Sequence, residues 1–227
     1  MASKASSTIS SATTLIFIDI ETTTLDANKG AILELYFEER DHMDRIVARG
    51  RSLYSARSGA LIDPVALQIN GLDPDKLAND GYKSFEQNVP TLKQWLLHNG
   101  AKRDVAFVGW NVSFDIKHIV AGIRRTGDEQ FADIVAFYPQ IDAKVVVRDK
   151  LKQVGGSVPV NYKLGSVVEY MGFNLNKMDG AHTARGDVQR VCAVLNEIAN
   201  KPPIIIRLLK IKWAIKRMFV SRPLLSK

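Results

Sequence analysis

The chain has 227 residues, with 31 Lys and Arg against 24 Asp and Glu, 46% hydrophobic residues and a single cysteine. That length fits one domain with appendages, and one cysteine, Cys192, excludes a disulfide scaffold just as the absence of Cys/His spacing excludes a structural zinc module. No uncharged apolar run approaches the roughly 20 residues of a membrane-crossing helix, and Met1 to Thr14 lacks the apolar centre of a signal peptide, so an intracellular protein is expected. The charge is uneven. Lys201 to Lys227 holds eight basic residues and no acid, whereas the first 200 residues hold 23 basic and 24 acidic ones. A near-neutral body with a basic tail suits a polyanionic partner, nucleic acid or an anionic membrane surface.

In chain order, residues 1–14 are rich in Ser and Thr and are expected to be a disordered lead-in. Leu15 to Ile20 is an apolar run suited to a central strand, and Ala31 to Phe37 with Ile46 to Tyr54 extends it into an antiparallel meander. The Asp-Pro and Asn-Gly pairs between Asp63 and Pro74 mark an irregular stretch, after which Phe85 to His98 has helical spacing. Val105 to Val108 is the next strand, followed by a helix capped by Ser113 and running to about Arg125. A strand over Tyr138 to Asp142, a helix beyond it that Asp142 caps, and helices over Leu164 to Met171 and Thr183 to Ala199 complete the body. After Pro202-Pro203, Ile204 to Val220 reads as a separate helix.

The informative residues are acids that interrupt apolar patterns. Asp19 and Glu21 stand two apart on a strand and so project from one face near its C-terminal end. Asp115 shares a helix face with Ile119, Gly122 and Ile123, and Asp187 lines up with Val191, Val194 and Ile198. Burying an unpartnered carboxylate costs several kcal/mol, and Lys117 and Arg185 lie on other faces of their helices, so little local basic compensation is evident. Hard divalent cations are the economical compensation, and two of them would stabilise both oxygens of an in-line phosphodiester displacement. His182 falls on the loop entering the last helix, ahead of Thr183 as N-cap, and its imidazole is suited to accept a proton at neutral pH.

The segments FIDIETTTLD, GWNVSFDIKHI and HTARGDV resemble, in order and content, the three motifs of the DnaQ-like DEDDh 3′–5′ exonucleases, over about Thr14 to Ala199. The resemblance implies an α/β, ribonuclease H-like domain over residues 15–200, with a mixed five-stranded sheet flanked by helices. It implies a metal site of Asp19, Glu21, Asp115 and Asp187 for two Mg²⁺ or Mn²⁺ ions, with His182 as general base. Thr22, Thr23, Leu25 and Asn111 would contact the terminal nucleotide. Thr24, Asn70 and Trp110 stand where the family usually has Gly, His and His, which bears on substrate preference. The implied reaction releases nucleoside 5′-monophosphates from single-stranded or frayed 3′ ends, with DNA favoured over RNA. The alternatives are an exoribonuclease of the RNase T or oligoribonuclease type and a proofreading subunit acting through polymerase binding. Location would then be cytoplasmic and nucleoid-associated, with organelle targeting the alternative.

Residues 201–227 form a basic amphipathic tail, with Ile204, Leu208, Ile211, Ile215, Met218 and Phe219 on one stripe. A helix docked on the domain is the first reading. A nucleic-acid tether, a polymerase-binding element and an interfacial membrane helix are the others. Trp110 and Cys192 read as packing residues.

Overall fold

The computed structural model describes residues 14–41, 44–98, 101–154, 159–174, 180 and 182–200, so the predicted lead-in (apart from Thr14) and the whole basic tail lie outside the described residues. The chain opens with a meander of β1 (Thr14–Thr22), β2 (Ile32–Arg40) and β3 (Ile46–Leu53), each antiparallel to the one before. Three short elements follow, helices α1 (Pro64–Asn70), α2 (Pro74–Asn79) and α3 (Phe85–Leu96), and then a small hairpin of β4 (Leu97–His98) and β5 (Ala101–Lys102). The remainder alternates: β6 (Val105–Gly109), α4 (Val112–Arg125), α5 (Glu129–Ala136), β7 (Gln140–Asp142), α6 (Ala143–Val154), α7 (Leu164–Tyr170) and α8 (Ala184–Asn200). The main sheet has the order β3-β2-β1-β6-β7, with β6 parallel to both β1 and β7. This is the ribonuclease H-like mixed sheet that the motifs imply.

β1 sits at the centre because both its faces are covered. Ile16, Ile18 and Ile20 point into a core shared with Phe85 of α3, Ile116, Ile119 and Ile123 of α4, and Phe131 of α5. Phe17 points the other way, into a core with Val147 of α6, Val167 and Val168 of α7, and Val188 and Val191 of α8. Period-two alternation on one strand therefore serves two separate helix layers. Asp19 and Glu21 continue the Phe17 side, which places them on the face that α8 covers.

The sequence expectations need four local corrections. The stretch around Asp63 and Asp73 is helical, because each Asp caps its successor's first turn with Pro at the first helical position. α5 was not anticipated, although Asp128 accepts from Phe131 N–H and starts it. β2 runs three residues beyond Phe37, since Glu38 and Glu39 are buried against arginines rather than turned to solvent. Ser113 does not cap α4. The helix begins one residue earlier, and Asn111 occupies the cap in a left-handed conformation (φ 67°) with no side-chain cap bond. Its N–H donates instead to Asp142 Oδ1 at 3.0 Å. Asp142 also accepts from Lys144 N–H, so it caps α6 as expected and ties β7 to the start of α4.

Candidate metal and active site

The candidate site is assembled at the C-terminal end of β1. Asp19 and Glu21, brought to one side by the strand's pleat, meet Asp187 from the first turn of α8, and one carboxylate oxygen from each lies within 4.8 Å of the others. Thr183 sets the angle of α8: its hydroxyl accepts from Gly186 N–H at 3.1 Å and its carbonyl from Asp187 N–H at 3.0 Å, the N-cap arrangement expected from the sequence. Asp115 approaches from the opposite layer, in the first turn of α4. It is 3% exposed, and its Oδ1 accepts from Ile20 N–H at 3.2 Å, so it borders the three without joining their convergence.

The electrostatics of this cluster are unfavourable without a cation. Burial pushes the Asp19 carboxyl well above the usual range, and the charges of Asp115, Asp187 and Glu21 push it further. Glu21 is raised to about 8, first by burial and then by Asp187 and Glu34. Asp115 is raised by burial, in part offset by the Ile20 N–H. Among the described residues neither Asp19 nor Glu21 has a cationic partner. Oxygen-only donors at this spacing, two of the three without a cationic partner among the described residues, fit a hard divalent cation.

Asp187 is different, and here the sequence reading needs correction. Arg190, one turn along α8 and only 3% exposed, donates from Nη1 to Asp187 Oδ1 at 2.7 Å and toward the Gly180 carbonyl at 3.3 Å. The i, i+3 spacing was legible, but a buried arginine on the apolar side of a helix shows itself only in three dimensions. Glu34 was also missed. It stands directly across from Glu21 in the β1–β2 register, is 1% exposed, and accepts from Arg51 Nε at 2.6 Å.

The turn after β1 is held rigidly. Thr23 is fully buried: its hydroxyl donates to the Leu61 carbonyl and accepts from Ala31 N–H, its N–H donates to Ala31 O and its carbonyl accepts from Asp63 N–H. Asn70 Nδ2 donates to the Thr22 carbonyl, and the Thr22 hydroxyl donates to the Thr24 carbonyl. His118, buried in α4, bridges the carbonyls of Phe114 and Thr24. The Thr22 and Thr23 backbone expected to face a nucleotide is thus largely committed inside the protein. Leu25, at the tip of this turn, is 80% exposed. His182 is exposed, in a left-handed turn (φ 60°) directly before Thr183, and the Asn111 side chain is exposed too. Trp110 packs into the α6–α8 layer and donates to the Tyr162 carbonyl. Cys192 is buried and its thiol is pushed up to about 12, chiefly by burial.

A mixed sheet of this order, with carboxylates gathered at the end of its central strand, defines a nuclease of the ribonuclease H-like class. The profile of the exonuclease family that includes RNase T matches residues 16–195, and the chain belongs to that family, the DnaQ-like 3′–5′ exonucleases. Ribonuclease T of Blochmanniella pennsylvanica is 26% identical over 195 residues, which cover 82% of this chain and 84% of that protein. Among solved structures, cell-death related nuclease 4 superposes with a TM-score of 0.65 at 17% identity, over 82% of this chain and 64% of its own. E. coli exonuclease I in complex with a dA16 oligonucleotide gives 0.68 at 17% identity, over 86% of this chain and 42% of that one. The chain therefore spans less than two thirds of either solved relative.

Proposed function

We propose that this protein is a metal-dependent 3′–5′ exonuclease that releases nucleoside 5′-monophosphates from single-stranded or frayed DNA ends. The observation that carries the reading is the convergence of Asp19, Glu21 and Asp187, three carboxylates of which two, Asp19 and Glu21, have no cationic partner among the described residues and which a bound cation would offset. Two divalent ions, when bound by these acids and Asp115, would supply Lewis-acid stabilisation of the attacking and leaving oxygens. The protein's own part is positional. The buried Thr23 and Asn70 bonds fix the turn that presents Leu25 to the last base, and Arg190 fixes the rotamer of Asp187. His182, exposed at the mouth of α8, takes the proton of the attacking water as general base. The likeness to exonuclease I bound to a DNA oligonucleotide supports DNA as substrate.

The likeness to ribonuclease T favours a second reading, in which RNA 3′ ends are cut by the same residues. Hydrolysis of matched 5′-labelled DNA and RNA strands, with Mg²⁺ or Mn²⁺ and with EDTA, separates the two. A metal-dependent descending ladder from the 3′ end on DNA is the expected result. A ladder on RNA alone would replace the first reading with the second, and no ladder on either would overturn both. The polymerase-binding reading of residues 201–227 predicts co-purification that is lost when they are deleted, with the nuclease rate unchanged.

A further inference from the structure

Beyond the carboxylates, the same face of the sheet continues onto β3, and its character reverses there. Opposed residues of an antiparallel pair share a face, so the register places Asp19, Tyr36 and Arg51 in one row, and Phe17, Glu38 and Arg49 in the next. With strands about 4.8 Å apart, Arg51 starts roughly 10 Å from Asp19. α8 packs over β1 and β2, but Arg49 and Arg51 are exposed. From Ile46 to Leu53 the strand carries these two arginines and no acid.

The charges on this ledge do not cancel. Glu34 is matched by Arg51 through Nε alone, and 48% of the Arg51 side chain remains in solvent, which leaves its terminal nitrogens as donors for a further anion. Glu38 is matched by Arg40. Arg49 has no ion-pair partner among the described residues, and Arg185 is exposed at the start of α8 close to the same row: the Tyr36 phenol is raised by burial and by Glu38, and the charges of Arg185 and Arg49 oppose that rise. With Glu34 matched by Arg51 and Glu38 by Arg40, Arg49 leaves the ledge net positive beside the cutting site.

We infer that Arg49, Arg51 and Arg185 form a phosphate-binding ledge that holds the substrate strand on the 5′ side of the scissile bond. The ligand is the phosphodiester backbone of a single strand, bound without regard to base, because guanidinium groups on an open sheet face meet phosphate oxygens and no base edge. The identity of this ligand rests on the exonuclease reading, whereas the ledge's geometry does not.

Binding measured apart from cleavage tests it. The full-length protein in EDTA is titrated against a 5′-fluorescent single strand of about ten residues, by anisotropy, between about 50 and 200 mM salt. Arg49→Ala, at an exposed and unpaired position, should weaken binding equally for oligo-dT and mixed sequences and flatten the slope of log K against log salt by about 0.7. Arg49→Glu should weaken it further, and Arg49→Lys should restore most of it. KM for the ten-residue strand should rise more than KM for a dinucleotide. Unchanged affinity and slope in both Arg49→Ala and Arg49→Glu would overturn the ledge while leaving the exonuclease intact. Arg49-dependent binding without release of mononucleotides would support the ledge and sink the exonuclease reading instead.

Discussion

Two groups of acids lie on neighbouring strands, and they are treated in opposite ways. On β2, Glu34, Glu38 and Glu39 are each no more than 6% exposed, yet every one meets an arginine: Arg51, Arg40 and Arg103. At the end of β1, Asp19 and Glu21 converge with Asp187, and Asp115 borders them; among the described residues only Asp187 of these has a basic partner. Buried charge is tolerable when paired, so the β2 acids hold the sheet together across its strands. The β1 acids raise one another's pKa and destabilise the metal-free fold. A fold retains such an arrangement where function requires it, and the contrast separates a structural carboxylate from a metal-binding one without reference to motif.

The sharpest way to break this comparison is Asp19→Asn. Hydrolysis should fall to background, yet the metal-free protein should melt at a higher temperature at pH 8 because repulsion is removed; a lower Tm in EDTA would contradict the account. His182→Ala should lower kcat by about 10²–10⁴-fold, as for a lost general base, while Mn²⁺ binding measured by calorimetry stays close to wild type. Glu38→Ala should do the opposite of Asp19→Asn. It strands Arg40, which among the described residues keeps only Asp44 as an ion-pair partner, and should cost about 3 kcal/mol in denaturant unfolding.

The pH dependence has a defined sign. Glu21 is raised to about 8 from an ordinary value near 4.5, so the folded protein holds a proton there that the unfolded chain has released. Stability of the metal-free protein should therefore fall as pH rises from about 4.5 through 8. Because a bound cation favours the ionised form, the gain in Tm on adding Mg²⁺ or Mn²⁺ should grow across the same window. A gain that shrinks with pH would exclude Glu21 as a ligand. The smallest effect is at Cys192, whose raised thiol pKa predicts no alkylation of the folded protein by iodoacetamide at pH 8, read by mass spectrometry.

Much of the site was legible before folding. Asp19 and Glu21 were placed on one face by strand periodicity alone, and Asp115 and Asp187 stood out because each occupies an apolar helical stripe. Thr183 as N-cap and Asp142 as the cap of α6 followed from local chemistry. Arg190, Glu34 and the Asn111 turn were not legible. Each depends on packing beyond its own element: Asp142 supplies the acceptor for the Asn111 N–H, Arg51 pairs with Glu34, and Arg190 is buried to 3% exposure.

The sequence by itself determined the alternation of strands and helices and the identity of the acids that do not belong in a core, because periodicity and capping act over a few residues. The tertiary structure decided which of those acids converge. Asp187 reaches Asp19 and Glu21 while Asp115 turns to Ile20, and β3 continues their face as a row of arginines, because strand register and helix packing bring together residues distant in sequence, 95 positions apart for Asp115 and Ile20.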